Sequence, residues 1–186
     1  MTREHQHKGK SSEQLINKDV VLSALAILPG QTILDAGCGN GYMAKAFASR
    51  LGSQGKVFAV DPDEKIIEIL QAEIGTLPVS LPIEAIAADI TRPMAIDPLS
   101  LDLIYLSTVF HGFSEDQASG FQREVHRLLK PGGRLAIVEI KKEKTPFGPP
   151  MEMRFSPEEL KDTIHLAPGP YVDAGRYLYM QIFEKG

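Results

Sequence analysis

The residues with the clearest chemical potential stand where a short apolar run breaks into glycines: Ile33-Leu34-Asp35-Ala36-Gly37-Cys38-Gly39-Asn40-Gly41. Glycines allow backbone angles closed to other residues and let a ligand approach the main chain, while the amides that open a following helix face it. The spacing is G-x-G-x-G and departs from the G-x-G-x-x-G that seats a dinucleotide pyrophosphate. Asp61 ends the run 57–61, twenty positions after Gly41. A carboxylate there accepts from both hydroxyls of a ribose and repels a phosphorylated one. Asp89 ends a third such run, where it can accept from an adenine amino group while the amide of Ile90 serves a ring nitrogen. Together the three sites describe an adenosine pocket. The plainer reading of Asp61 and Asp89 is capping of the turn that follows each, and their company with the glycine loop favours the ligand.

These residues need elements to position them. Short apolar runs at 32–35, 56–60, 83–87, 101–106 and 134–140 suit strands buried on both faces. Helical spacing alternates with them. Met43, Phe47 and Leu51 share a face of 42–51, as do Ile66, Ile67, Leu70 and Ile74 of 64–74. A helix over 115–129 starts with Ser114 and Gln117 in capping-box positions and stops at Lys130-Pro131-Gly132-Gly133; another begins at Ser156-Pro157 and runs to about 166. A first helix is expected over 13–28, ending at Pro29-Gly30, and a last strand over 176–184 after a turn at Gly175. Alternating strands and helices predict a doubly wound α/β domain whose ligands sit beyond the carboxyl ends of the strands.

Composition narrows the classes. The 186 residues suit one domain, 15–186, behind a polar tail, 1–14. A net charge of −4 gives no basic field for a polyanion, so nucleic acid is disfavoured as a partner. The longest apolar stretch, 20–28, is far below a membrane span, and the polar start is unlike a secretory leader. The single cysteine, Cys38, forms no intrachain disulfide or multi-thiolate metal site and reads as a small filler of the loop. A cytoplasmic protein is expected. His5 and His7 lack a partner set, so no metal is expected.

At this point the chain resembles the class I S-adenosylmethionine-dependent methyltransferases, from about Leu15 to its end. The resemblance is carried by the glycine loop, by Asp61 and Asp89, by Leu101-Asp102-Leu103-Ile104-Tyr105-Leu106-Ser107-Thr108-Val109-Phe110-His111, and by Leu128-Leu129-Lys130-Pro131-Gly132-Gly133-Arg134-Leu135. The last two look most like the small-molecule branch that includes ubiquinone and menaquinone biosynthesis methyltransferases. The resemblance implies S-adenosyl-L-methionine as cofactor. Asp35, Gly37, Gly39 and Gly41 would hold its methionine part, Asp61 with Pro62 the ribose, Asp89 with Ile90 the adenine, and Ser107 would border the sulfonium. It implies a Rossmann-like, mostly parallel seven-stranded sheet with an antiparallel last strand and helices on both faces. The segment 166–171, with Pro168, Gly169 and Pro170, departs from the usual sixth strand.

Methyl transfer mainly requires alignment, and a base is useful where the acceptor must lose a proton. His111 is the first candidate, at the first position of the family's His-His pair, with Gly112 at the second; Tyr105 and Tyr42 have weaker cases. The alternative is that His111 caps the following turn or packs under the cofactor. Met151, Met153, Phe155, Phe147 and Pro149-Pro150 lie in the long connection after the fifth strand and can wall an apolar acceptor or roof the core. Arg154 is open between recognising an acidic acceptor and pairing with Glu152, and Lys141, Lys142 and Lys144 read as a solvated charge run. Neither the Asp-Asn pair of metal-dependent catechol-type enzymes nor the Asn/Asp-Pro-Pro-Tyr/Phe motif of amino methylation is present. A small-molecule acceptor is expected, in a pocket that a homodimer partner could complete. The rival readings are a non-catalytic binder of the cofactor, a methyltransferase for RNA or protein and, on fold grounds alone and against the glycine spacing, an NAD-dependent oxidoreductase.

Overall fold

The computed structural model describes residues 12–186, so the readings of His5 and His7 and most of the polar tail lie outside the described residues. The apolar runs become β1 (Thr32–Ala36), β2 (Lys56–Asp61), β3 (Ile83–Ala87), β4 (Leu101–Ser107) and β5 (Leu129–Ile140), followed by β6 (Ala167–Gly175) and β7 (Leu178–Glu184). They form one seven-stranded sheet in the order β3-β2-β1-β4-β5-β7-β6. β1 to β5 pair in parallel, whereas β7 runs antiparallel to β5 and β6. The chain leaves β1 toward one edge, then returns to lay β4 on its other side. Ligands of open α/β sheets bind at such a switch point, and there Asp35 faces Tyr105 in register.

The two sheet faces have separate cores. α1 (Lys18–Leu25), α2 (Tyr42–Leu51) and α3 (Glu64–Gly75) cover one, with Leu25, Phe47, Leu51 and Leu70 almost wholly buried. α4 (Glu115–Leu128) and α5 (Pro157–Thr163) cover the other with Phe121, Val125, Leu128 and Leu160. Both α4 and α5 carry the expected capping box, Ser114 with Gln117 and Ser156 with Glu159, which satisfies otherwise orphaned first-turn amides.

Four boundaries differ from the expectation. The first helix covers only 18–25 because Asn17 interrupts it, its side chain accepting from the amide of Val20 while its own amide donates to Ala174, and left-handed Ala26 ends it early. α5 stops at Thr163 because the next free amide, that of His165, donates to the side chain of Gln122. Lys130-Pro131-Gly132-Gly133 does end α4, yet it also belongs to β5 as an irregularity: Leu129 pairs with Leu101 and Arg134 with Leu103. The 166–171 segment enters β6 despite two prolines. Pro supplies no ladder donor, so the register shifts between Pro168 and Tyr171, and the buried Gln181 amide of β7 donates to the carbonyls of Gly169 and Pro170.

Candidate active site

The adenosine-side residues converge at the carboxyl ends of β1, β2 and β3. Asp35 sits one residue before the end of β1, 3% exposed, and its Oδ2 has no hydrogen-bond partner among the described residues. Burial pushes its carboxyl up to about 7, opposed by the amide of Ala44 and reinforced by the charge of Asp61. A buried carboxylate oxygen without a donor is costly. It fits a position that a cationic or donating ligand group completes.

The glycine loop follows this carboxylate in the chain. Gly37 and Cys38 both donate their amides to the carbonyl of Val60, binding the loop to the end of β2. Gly37 has φ +76°, and a Cβ there would lie 2.7 Å from Cγ2 of Val109, so the loop after β4 packs directly against it. Gly39, at φ +51°, has the opposite surroundings: a Cβ there would meet nothing within 4 Å. The main chain is thus bare at Gly39. Gly41 forms the amino-terminal cap of α2.

Asp61 is half-buried and fastens this loop, its Oδ2 accepting from the Gly39 amide at 3.0 Å and its Oδ1 from that of Asp63 at 3.0 Å. Helix capping at α3 falls to Asp63, not to Asp61, since Asp63 accepts from the amides of Lys65 and Ile66. Pro62 lies exposed between them. Asp89 behaves as the capping alternative describes: Oδ1 accepts from the amide and hydroxyl of Thr91, and Oδ2 lies 3.3 Å from Arg92. Its neighbour Ile90 is 3% exposed. Both oxygens of Asp61 and Oδ2 of Asp89 keep a lone pair after these bonds, whereas Thr91 occupies both acceptor sites of Asp89 Oδ1.

Across the switch point, β4 ends in half-buried Ser107, and the chain then passes through Thr108 at φ +55° into a 3-10 turn, Phe110–Gly112. His111 lies in that turn at 6% exposure, its Nδ1 2.7 Å from Oε2 of Glu139. Glu139 is absent from the candidates drawn from the sequence, although a lone charge in Ala136-Ile137-Val138-Glu139-Ile140 is a readable signal. Tyr105 is wholly buried with its ring edge on Phe47 at 5.2 Å, and burial pushes its hydroxyl up. That disfavours the phenolate a base would need. Tyr42, half-buried at the start of α2, lies under the ammonium of Lys18. Burial also pushes the Cys38 thiol up, which keeps it neutral and inert.

The connection after β5 is organised by Arg154, whose guanidinium serves backbone carbonyls rather than Glu152. Arg154 is 7% exposed and donates to the carbonyls of Lys141, Glu143, Phe147 and Pro149, which ties the connection into a compact loop. A cavity of about 290 Å³ opens beside it, lined by Lys142, Glu152, Met153, Arg154, Phe155, Glu159, Asp162 and Thr163. Met153 and Phe155 therefore reach a cavity, whereas Met151 is exposed. The lysines are only partly a free charge run: Lys141 pairs with Asp173 and Lys142 with Glu159. Among the described residues no cluster could hold a metal ion, and no helix is long and apolar enough to cross a membrane.

Comparison with known proteins agrees with this geometry. The profile of the methyltransferase domain family matches residues 33–133, more than half of the chain. The ubiquinone/menaquinone biosynthesis C-methyltransferase UbiE of Laribacter hongkongensis is 27% identical over 133 residues, covering 71% of this chain and 52% of its own. The same-named protein of Hydrogenovibrio crunogenus is 30% identical over 124 residues, covering 65% and 46%. The chain spans about half the length of these curated relatives. A SAM-dependent methyltransferase from Aquifex aeolicus superposes with a TM-score of 0.82 at 27% identity, over 96% of this chain and 95% of that one. A type 11 methyltransferase structure from Sulfolobus solfataricus, at 20% identity and TM-score 0.76 over 92% and 94%, shares the fold. With its seven-stranded sheet, bare glycine loop and acidic strand ends, this chain belongs to the class I S-adenosylmethionine-dependent methyltransferases.

Proposed function

We propose that the protein transfers a methyl group from S-adenosyl-L-methionine to a small-molecule acceptor. The observation that carries this reading is the buried Asp35 carboxylate, with one oxygen unsatisfied among the described residues, followed two residues later by a glycine loop whose main chain is open at Gly39. In this reading Asp35 receives the methionine ammonium and the Gly37, Gly39 and Gly41 segment lies along the methionine. Asp61, with Pro62 beside it, accepts from the ribose hydroxyls, Asp89 and the Ile90 amide bracket the adenine, and Ser107 borders the sulfonium.

The bound cofactor supplies a methyl carbon already activated by positive sulfur. The protein's task is to hold the acceptor in line, and good alignment is worth about 7 to 11 kcal/mol. His111 would take the proton that an acceptor hydroxyl, amine or ring carbon loses as it bonds to the methyl, the former carbon–sulfur electron pair remaining on sulfur. A cavity of about 290 Å³ borders Phe155, whose ring packs on that of Phe110, next to His111, at 5.2 Å between centroids.

The test is to incubate the protein with methyl-labelled cofactor and a cell extract divided into small-molecule, protein and RNA fractions. Label in the small-molecule fraction is expected. Label confined to protein or RNA would replace the acceptor class, and label in none, with cofactor product still bound, would favour a binding protein without catalysis.

A further inference from the structure

Two buried oxygens at the switch point of the sheet make no hydrogen bond among the described residues: Oδ2 of Asp35 and the hydroxyl of Tyr105. The residues that carry them are partners in the parallel register of β1 and β4, and neighbouring strands lie about 4.8 Å apart. Both side chains leave the sheet toward α2. Asp35 accepts from the amide of Ala44 in the first turn of that helix, and the Tyr105 ring meets Phe47, one turn on, edge to face at 5.2 Å. Of the polar groups near the hydroxyl, Ser107 favours its ionisation and Asp35 opposes it.

Packing alone does not call for a hydroxyl here. A phenylalanine would fill nearly the same space and keep the contact with Phe47, without the cost of taking an unpaired hydroxyl out of water. Buried polar atoms in native proteins are paired as a rule, and each exception asks for a cause. Here two exceptions stand on adjoining strands, at the place where open α/β sheets bind their ligands.

What the two atoms share is the capacity to accept. An ionised carboxylate only accepts, and a phenolic oxygen keeps lone pairs beside its proton. Burial pushes the Tyr105 hydroxyl up, so it stays neutral. An anionic ligand group would be repelled by Asp35, and a neutral donor would leave its charge uncompensated. A primary ammonium answers both oxygens, since it carries the opposite charge and three donors. We propose that the Tyr105 hydroxyl is a cofactor-binding group, the second acceptor beside Asp35 for the ammonium of the methionine end, and that the pair selects ligands with an unmodified amine there. This rests on the reading of Asp35 as the receiver of that ammonium.

The test is calorimetric titration of the full chain, wild type and Tyr105→Phe, with S-adenosylhomocysteine and with its deamino analogue, which keeps the carboxylate and the nucleoside but carries hydrogen in place of the amine. The wild type should bind S-adenosylhomocysteine at least about tenfold more tightly than the analogue. Tyr105→Phe should weaken S-adenosylhomocysteine roughly tenfold and leave the analogue within about two-fold. Without ligand, the urea midpoint of Tyr105→Phe should equal or exceed that of the wild type, because the oxygen removed is unpaired in the empty protein. A hydroxyl with a structural role would instead lower the midpoint and weaken both ligands alike, and that result overturns the proposal. So does a variant that binds S-adenosylhomocysteine within about two-fold of the wild type. A wild type that binds both ligands equally would sink the reading of Asp35 itself, and the role of Tyr105 with it.

Discussion

The two halves of the site are built in different ways. On the side of β1, β2 and β3, the functional groups lie within or just beyond contiguous strand-and-loop segments, with bonds short in sequence, Asp61 to the Asp63 amide and Asp89 to Thr91, beside the loop's ties to the end of the adjoining β2, Gly39 to Asp61 across 22 positions among them. On the side of β4 and β5 the decisive contacts join distant residues, His111 to Glu139 across 28 positions and Tyr179 to Phe155 across 24. The first kind of site is specified by local spacing. The second exists only once the sheet has formed, so its geometry is sensitive to changes that leave the first intact. The halves meet where Val109 presses on Gly37.

That meeting point is where the contrast should break most visibly. Gly37→Ala forces a side chain into left-handed backbone and into Val109, and about 3 kcal/mol of strain and overpacking is expected. Loss of S-adenosylhomocysteine affinity by roughly 100-fold follows if that energy falls on the bound state. Adding Val109→Ala should restore only part, because the backbone strain remains. A single variant that binds like wild type in calorimetry would show that the halves are not coupled there.

Asp35 gives the next effect, with a defined sign. Its folded value, about 7, lies above the ordinary 3.8, so between these values the native state holds more protons than the unfolded chain. Stability of the empty protein should therefore fall as pH rises from about 4 to about 7, by up to about 4 kcal/mol from this group, and the penalty should persist above that. Asp35→Asn removes the slope. Urea unfolding at pH 5 and pH 8 should show the variant gaining on the wild type at the higher pH, while its affinity for S-adenosylhomocysteine drops about tenfold.

Arg154→Met tests the other half. Four carbonyls lose their donor, and a cost of about 3 kcal/mol in unfolding free energy is expected. Affinity for S-adenosylhomocysteine should stay within about two-fold. The smallest effect belongs to the exposed Lys45–Glu73 pair between α2 and α3: Lys45→Ala should change stability by less than about 0.5 kcal/mol in the same assay.

The contrast also explains what the sequence could reveal. Strand starts at Thr32, Lys56, Ile83 and Leu101 and the α4 cap at Ser114 were legible because burial periodicity and capping chemistry are local. So were Asp35, Gly37, Gly39 and Asp61, whose loop fixes their geometry through near neighbours and one adjoining strand. Glu139 and Arg154 were not legible in their roles. A charge in an apolar strand signals a partner without naming it, and Arg154 serves carbonyls, which every residue has. The β6 segment was hidden for the same reason, since Gln181 on another strand satisfies the carbonyls of Gly169 and Pro170 where the ladder register is interrupted.

The most direct test of the account is a calorimetric titration of the purified protein with S-adenosylhomocysteine, alongside NADH, repeated on Asp61→Ala. The account predicts saturable one-to-one binding of S-adenosylhomocysteine, weakened at least about tenfold by the substitution, and no binding of NADH. Binding of NADH, or S-adenosylhomocysteine binding indifferent to Asp61, would contradict it.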